Sequence, residues 1–89
     1  MIINGYTMVA DVSGSIVMDL WKSTYNNYPP TSVNSITDTQ KPTINNDIKS
    51  INTNLTNWTS SINAGDIIRF NVSSSSAITK LTLIINGYN

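Results

Sequence analysis

The chain has 89 residues, room for one domain, with five basic side chains against five acidic ones and a formal net charge of zero. It has no Cys and no His, and all of its acids are Asp, so zinc fingers, haem ligation, disulfide frames, Ser-His-Asp triads and thiol nucleophiles are excluded. A neutral chain also lacks the basic footprint that nucleic acid or anionic lipid requires, and no apolar run is long enough for membrane insertion.

In place of charge stand 13 Asn, 12 Ser, 11 Thr and 13 Ile. Ample Ile, Val and Leu with few charges argues for a packed core rather than disorder. Three Asn-x-Ser/Thr sites, at Asn54, Asn57 and Asn71, are about what this composition yields by chance, so glycosylation is not indicated. The opening Met1 to Gly5 has neither the basic nor the long apolar stretch of a signal peptide. So small a domain buries only about 60–65% of its unfolded surface, which favours a module stabilised by oligomerisation or by a larger assembly.

Taken in chain order, four segments show the period-2 alternation of half-buried strands. From Ile2 to Val12, Ile3, Thr7 and Val9 oppose Tyr6, Met8 and Ala10; Ser13-Gly14 reads as a turn. From Ser15 to Trp21, Ile16, Met18 and Leu20 oppose Val17, Asp19 and Trp21. The aromatic segment Trp21 to Thr31 follows, and Pro29-Pro30 stiffens its exit.

The middle of the chain has another rhythm. Ile44, Ile48, Ile51, Leu55, Trp58 and Ile62 recur at helical spacing, with Pro42 ahead and Gly65 behind as start and stop signals. The intervening Asn, Thr and Ser are poor helix formers, so the expectation is two short helices, 44–51 and 55–62, whose apolar stripe packs into the core.

Alternation resumes at Ile67 to Val72, where Ile68, Phe70 and Val72 share a face, and again at Ala77 to Ile85. The four serines Ser73 to Ser76 read as a hairpin or short loop, the competing reading being a linker. The segment Ile2-Ile3-Asn4-Gly5-Tyr6 recurs as Ile84-Ile85-Asn86-Gly87-Tyr88. Asn-Gly is a strong hairpin signal, yet at the C-terminal copy it leads almost nowhere. Gly87 to Asn89 is therefore either a loose tail or a segment completed by a partner's strand.

Candidate chemistry is sparse. The pairs Asp11 with Asp19 and Asp38 with Asp47 are the carboxylates available for acid–base hydrolysis, which needs two carboxyls about 5–10 Å apart. No Glu, His or Cys stands by to tune them, and no calcium-loop pattern is present, so the chain is expected to be non-enzymatic and free of metal and cofactor. The best binding surface is Tyr25, Asn26, Asn27 and Tyr28, whose rings and amides suit a sugar. The plainer reading is that Trp21 and Tyr25 plug the core where the strand leaves it.

The run Gly14-Ser15-Ile16-Val17-Met18-Asp19-Leu20-Trp21-Lys22, then Tyr25 and Tyr28-Pro29-Pro30-Thr31, resembles a module common in structural proteins of tailed bacteriophages. The resemblance continues through Ser35-Ile36, Lys41-Pro42-Thr43-Ile44, Leu55-Thr56-Asn57-Trp58-Thr59 and Gly65-Asp66-Ile67-Ile68-Arg69-Phe70-Asn71-Val72, covering residues 14–85. It implies a compact β-sandwich of jelly-roll type, carried on tail fibres, receptor-binding proteins, baseplates or head appendages. Read onto the matching positions, Trp21 and Trp58 are apolar plugs sealing the ends of the sandwich, Gly65-Asp66 is the helix stop and turn that aims the next strand, and Arg69 is a partner for Asp19 or Asp66; Phe70 is a structural residue of the apolar face set by the alternation.

The sequence thus predicts one all-β domain over residues 1–89, a small jelly-roll-like β-sandwich with one or two short helices mid-chain. Its expected role is structural, on a virion assembled in the host cytoplasm. Its expected partners are further copies of itself and other virion proteins, with a host-surface glycan as the alternative.

Overall fold

The computed structural model describes all residues 1–89 and is all-β: one antiparallel sheet of four strands, β1 (Ile2–Ser23), β2 (Thr43–Asn52), β3 (Ile67–Ser76) and β4 (Leu81–Tyr88). Every pairing involves β1. Along one edge of β1 runs β2, from Tyr6↔Asn52 to Val17↔Thr43. The other edge is shared end to end: β3 pairs with Ser15–Ser23 and β4 with Ile2–Ala10.

The expected turn at Ser13-Gly14 is therefore no hairpin; β1 passes straight through it. What the sequence marks there is a bend, since the register with β2 shifts on both sides of Gly14. On the opposite edge, β3 and β4 are separated by a break at residues 77–80, where Ala77 adopts φ +71°. A Cβ on Gly14 would stand 2.5 Å from the Ser76 carbonyl oxygen, so only glycine lets the two strands approach here. Asp11 pins the break: Thr79 Oγ1 donates to its carboxylate at 2.8 Å and the Lys80 amide at 3.1 Å.

The bend curls the sheet. A straight 22-residue strand would span about 73 Å, whereas the whole molecule is 38 Å in its longest extent. Both ends of β1 consequently reach one segment: Ile2 bridges Ser61, and Lys22 Nζ donates to the Ser61 carbonyl at 2.9 Å.

The two mid-chain helices are absent. Residues 43–52 form β2, and 55–62 is a run of turns ending in the bridge at Ser61. Low helix propensity and β-branched Ile at 44, 48 and 51 favour extended backbone once β1 offers an edge. The apparent helical stripe is dispersed accordingly: Ile44 and Trp58 are buried, while Ile51 is 70% exposed. Gly65 is thus not a helix stop; it lies at φ +85° in the turn from Asn63 to Asp66. The serines 74–76 are not a loop but the end of β3, paired with Ser15–Val17.

The repeated Ile-Ile-Asn-Gly-Tyr segments turn out to be partners. Residues 2–6 of β1 lie antiparallel to 84–88 of β4, with Ile2 opposite Tyr88 and Tyr6 opposite Ile85. The C-terminal copy is therefore paired within the chain and is not a loose tail. A register shift between Ile3 and Gly5 brings Ile3 onto the same side as Tyr6 and Met8. These three, with Ile16, Met18, Leu20, Ile36, Ile44, Trp58 and Ile78, make one contiguous core.

Candidate functional site

One end of the curled sheet is closed by loops. Residues 35–37 run beside β1 like a short strand: the Ile36 amide donates to the Leu20 carbonyl, and Ser35 bridges Trp21. Alternation then sends Ile36 into the core and both Ser35 and Thr37 to the other face. The ladder continues from Ile36 to Thr59, whose amide donates to the Ile36 carbonyl at 2.8 Å, and from Ser60 to Ile3 at 2.9 Å. Backbone hydrogen bonds thus link the two ends of β1 through segments that are remote in sequence. Trp58 seals the interior, stacked on Tyr6 with ring centroids 5.9 Å apart, its indole N–H donating to the Gln40 carbonyl at 2.7 Å.

Asp19 is the hub of this closed end. Its carboxylate accepts from Thr37 Oγ1 at 2.6 Å, Ser35 Oγ at 2.7 Å, the Leu20 amide at 2.9 Å and the Trp21 indole N–H at 3.1 Å. Lys41 Nζ lies 3.8 Å away. Burial opposes the charge, but the hydrogen bonds from Thr37, Ser35 and Trp21, with Lys41 beside them, outweigh it and hold the carboxyl below the ordinary Asp range. At Asp11, which is fully exposed, the Thr79 hydroxyl and the Lys80 amide likewise lower the pKa.

Trp21 departs from its expected place. It alternates with Leu20 and so points away from the core, half-buried, with the Arg69 guanidinium 5.8 Å above its ring. Arg69 therefore stacks on Trp21 instead of pairing with Asp19 or Asp66; their positions directly opposite each other on β1 and β3 dictate this. Asp66 instead accepts from the Asn63 amide at 2.8 Å and lies 3.9 Å from Lys22.

Beyond Ser23 the chain turns through residues 24–28, with the Asn27 amide donating to the Thr24 carbonyl and that of Tyr28 to Tyr25. Here Tyr25 is 82% and Tyr28 58% exposed, and Asn26 and Asn27 are exposed between them. Tyr25 is thus a surface residue and not a core plug, because β1 has already ended two residues earlier.

The opposite side is open. Here Ile16, Met18, Phe70, Val72, Leu81 and Leu83 line a groove of about 460 Å³ whose polar groups come from Ser75 and Thr79. Phe70 and Val72 face the same way as Leu20 and Met18, their direct cross-strand partners, yet each is 54% exposed. The sequence pattern marked this apolar face correctly but gave no sign that nothing in the chain covers it. It also missed Asp19, Ser35 and Thr37 as a unit; a strand-borne Asp in an apolar run was the available signal.

No protein family matches the chain, and no curated protein or solved structure does so either.

Proposed function

We propose that this protein is a non-enzymatic structural module of a tailed-phage particle, a small oligomeric unit of a tail fibre, baseplate or head appendage. In this reading the curled sheet is a β-sandwich of jelly-roll type, its two halves serving as the layers. The supporting observation is where the residues that carry the phage resemblance meet. Asp19, Trp21, Ser35 and Lys41, spread over 23 positions, converge on one carboxylate, Asp66 lies beside Lys22 at the same end of β1, and Trp58 ties the loop at Gln40 to Tyr6. Residues so engaged hold loops onto a strand, which suits a structural role. Mass spectrometry of purified particles tests the reading. The chain is expected among the virion proteins; its presence in infected cells but not in particles overturns the proposal.

A second reading, host-surface glycan binding, is favoured by one observation: Tyr25 and Tyr28 present two exposed rings, with Asn26 and Asn27 between them, on a single turn. Wild-type protein should then label a glycan array, and Tyr25→Ala should lose that signal. An array left blank by the wild type removes this reading and leaves the structural one standing.

A further inference from the structure

The repeated Ile-Ile-Asn-Gly-Tyr segments carry the two Asn-Gly steps of the chain, Asn4-Gly5 and Asn86-Gly87. In such a step the glycine nitrogen can reach the preceding carboxamide, because no Cβ crowds its approach. Identical flanking sequence gives both steps the same intrinsic reactivity, so any difference between them comes from the fold.

The fold treats them unequally. Residues 2–6 are held on both sides. Along one edge runs β4; on the other, Tyr6 faces Asn52, the Ile3 amide donates to the Ser60 carbonyl and the Ile62 amide to that of Met1. Ile3, Gly5 and Tyr6 are buried, and Tyr6 stacks on Trp58. Residues 84–88 pair with β1 alone, and none of them is buried; Asn86, Gly87 and Tyr88 are exposed. Extended backbone holds the glycine nitrogen away from the Asn side chain in both copies, so reaction requires the pairing to open locally first. Opening costs least where apolar contacts are few and hydrogen bonds come from one side, which describes the β4 copy.

We propose that Asn86-Gly87 is a self-modifying site of this protein, deamidating through a cyclic imide, and that Asn4-Gly5 is its protected twin. In the opened form the Gly87 nitrogen attacks Cγ of Asn86. The new C–N bond closes a five-membered succinimide, and the side-chain nitrogen leaves as ammonia, taking up the proton that the Gly87 nitrogen gives to solvent. Water then adds to one ring carbonyl and breaks its bond to the imide nitrogen. Cleavage at Cγ leaves an aspartate, and cleavage at the backbone carbonyl leaves an isoaspartate. Either product brings a negative charge to a chain of net charge zero. The isoaspartate also inserts a methylene into the main chain before Gly87. A Cβ on Gly87 would already stand 2.5 Å from the Ile2 carbonyl oxygen, so the pair has no room for that shift. Tyr88 then leaves its place opposite Ile2, and the β1 edge at Ile2 and Ile3 is released.

Trypsin separates the twins, since Lys22 and Lys80 bound peptides 1–22, where Asn4 is the sole Asn, and 81–89. Folded protein held in mildly alkaline buffer should gain one dalton in peptide 81–89 about tenfold faster than in peptide 1–22. In concentrated urea the two rates should become equal. Asn86→Gln should abolish the gain in 81–89, because the larger ring closes far more slowly, and this separates Asn86 from Asn89. A cooperative melt of the incubated sample establishes that the comparison is made on folded protein. Equal rates in the folded protein, faster conversion at Asn4, or a gain in 81–89 that survives Asn86→Gln overturns the assignment. None of these outcomes bears on whether the chain is found in particles, so the two proposals fail separately.

Discussion

The two sides of this molecule are made from the same strand and finished differently. At the closed end, β1 is met by segments 35–37 and 58–62, which satisfy its backbone, bury Trp58 and surround Asp19 with donors. On the open side, the same alternation of apolar residues continues into β3 and β4 without a cover. Leu20 and Phe70 sit opposite one another on adjacent strands, one 1% and the other 54% exposed. Strand pattern fixes which way a side chain points, whereas covering segments decide whether it leaves water.

The largest effects should come from the closed end. Trp58→Ala removes a buried, stacked and hydrogen-bonded ring and is expected to cost about 3–5 kcal/mol in urea unfolding, a large part of a small domain's stability. A loss below 1 kcal/mol on that scale would mean that the end is not sealed by this ring. Asp19→Asn should cost about 2–3 kcal/mol at neutral pH, since the hydrogen bonds it weakens run to a charged acceptor.

The same substitution carries a pH signature. Because the folded carboxyl titrates below its unfolded value of about 3.9, its contribution is present above that pH and lost as the pH falls through the folded value. Wild-type stability should therefore decline from about pH 5 towards pH 2, and Asp19→Asn should flatten that decline. Asp11, whose carboxyl is also lowered, keeps a remnant of the slope. A slope unchanged by Asp19→Asn would locate the acid sensitivity elsewhere.

Phe70→Ala, measured at concentrations low enough to dissociate any dimer, should cost about 1–2 kcal/mol against 2–5 for Leu20→Ala. Equal costs for the two would erase the distinction between the sides. Smallest is Gly65→Ala: a Cβ there meets nothing within 4 Å, so the penalty is the positive φ alone, about 1 kcal/mol by calorimetry.

The C-terminal strand and both halves of β1 were legible as strands because alternation is a local property. The continuity of β1 through Ser13-Gly14 was not, since the same residues that make a turn also make a bulge. The mid-chain segment misled for a related reason. Apolar residues four apart lie on one face of a helix and equally on one face of a strand, so Ile44 and Ile48 fit both. The free edge of β1 was what decided between them.

Of the binding and structural residues, exposure of the Tyr25–Tyr28 turn follows from its position past the end of a strand. The turn at Gly65-Asp66 follows from glycine's tolerance of positive φ. The convergence of Asp19 with Ser35, Thr37 and Lys41 was invisible, because contacts across 16 to 22 positions depend on how the loops return.

The order of residues by itself determined the apolar faces on β1, β3 and β4, since side-chain direction in extended backbone repeats every second residue, but not that residues 43–52 are a strand. Only the tertiary structure decided which of those faces is sealed. Burial is set by what distant segments lay over a strand, and here they cover one side and stop short of the other.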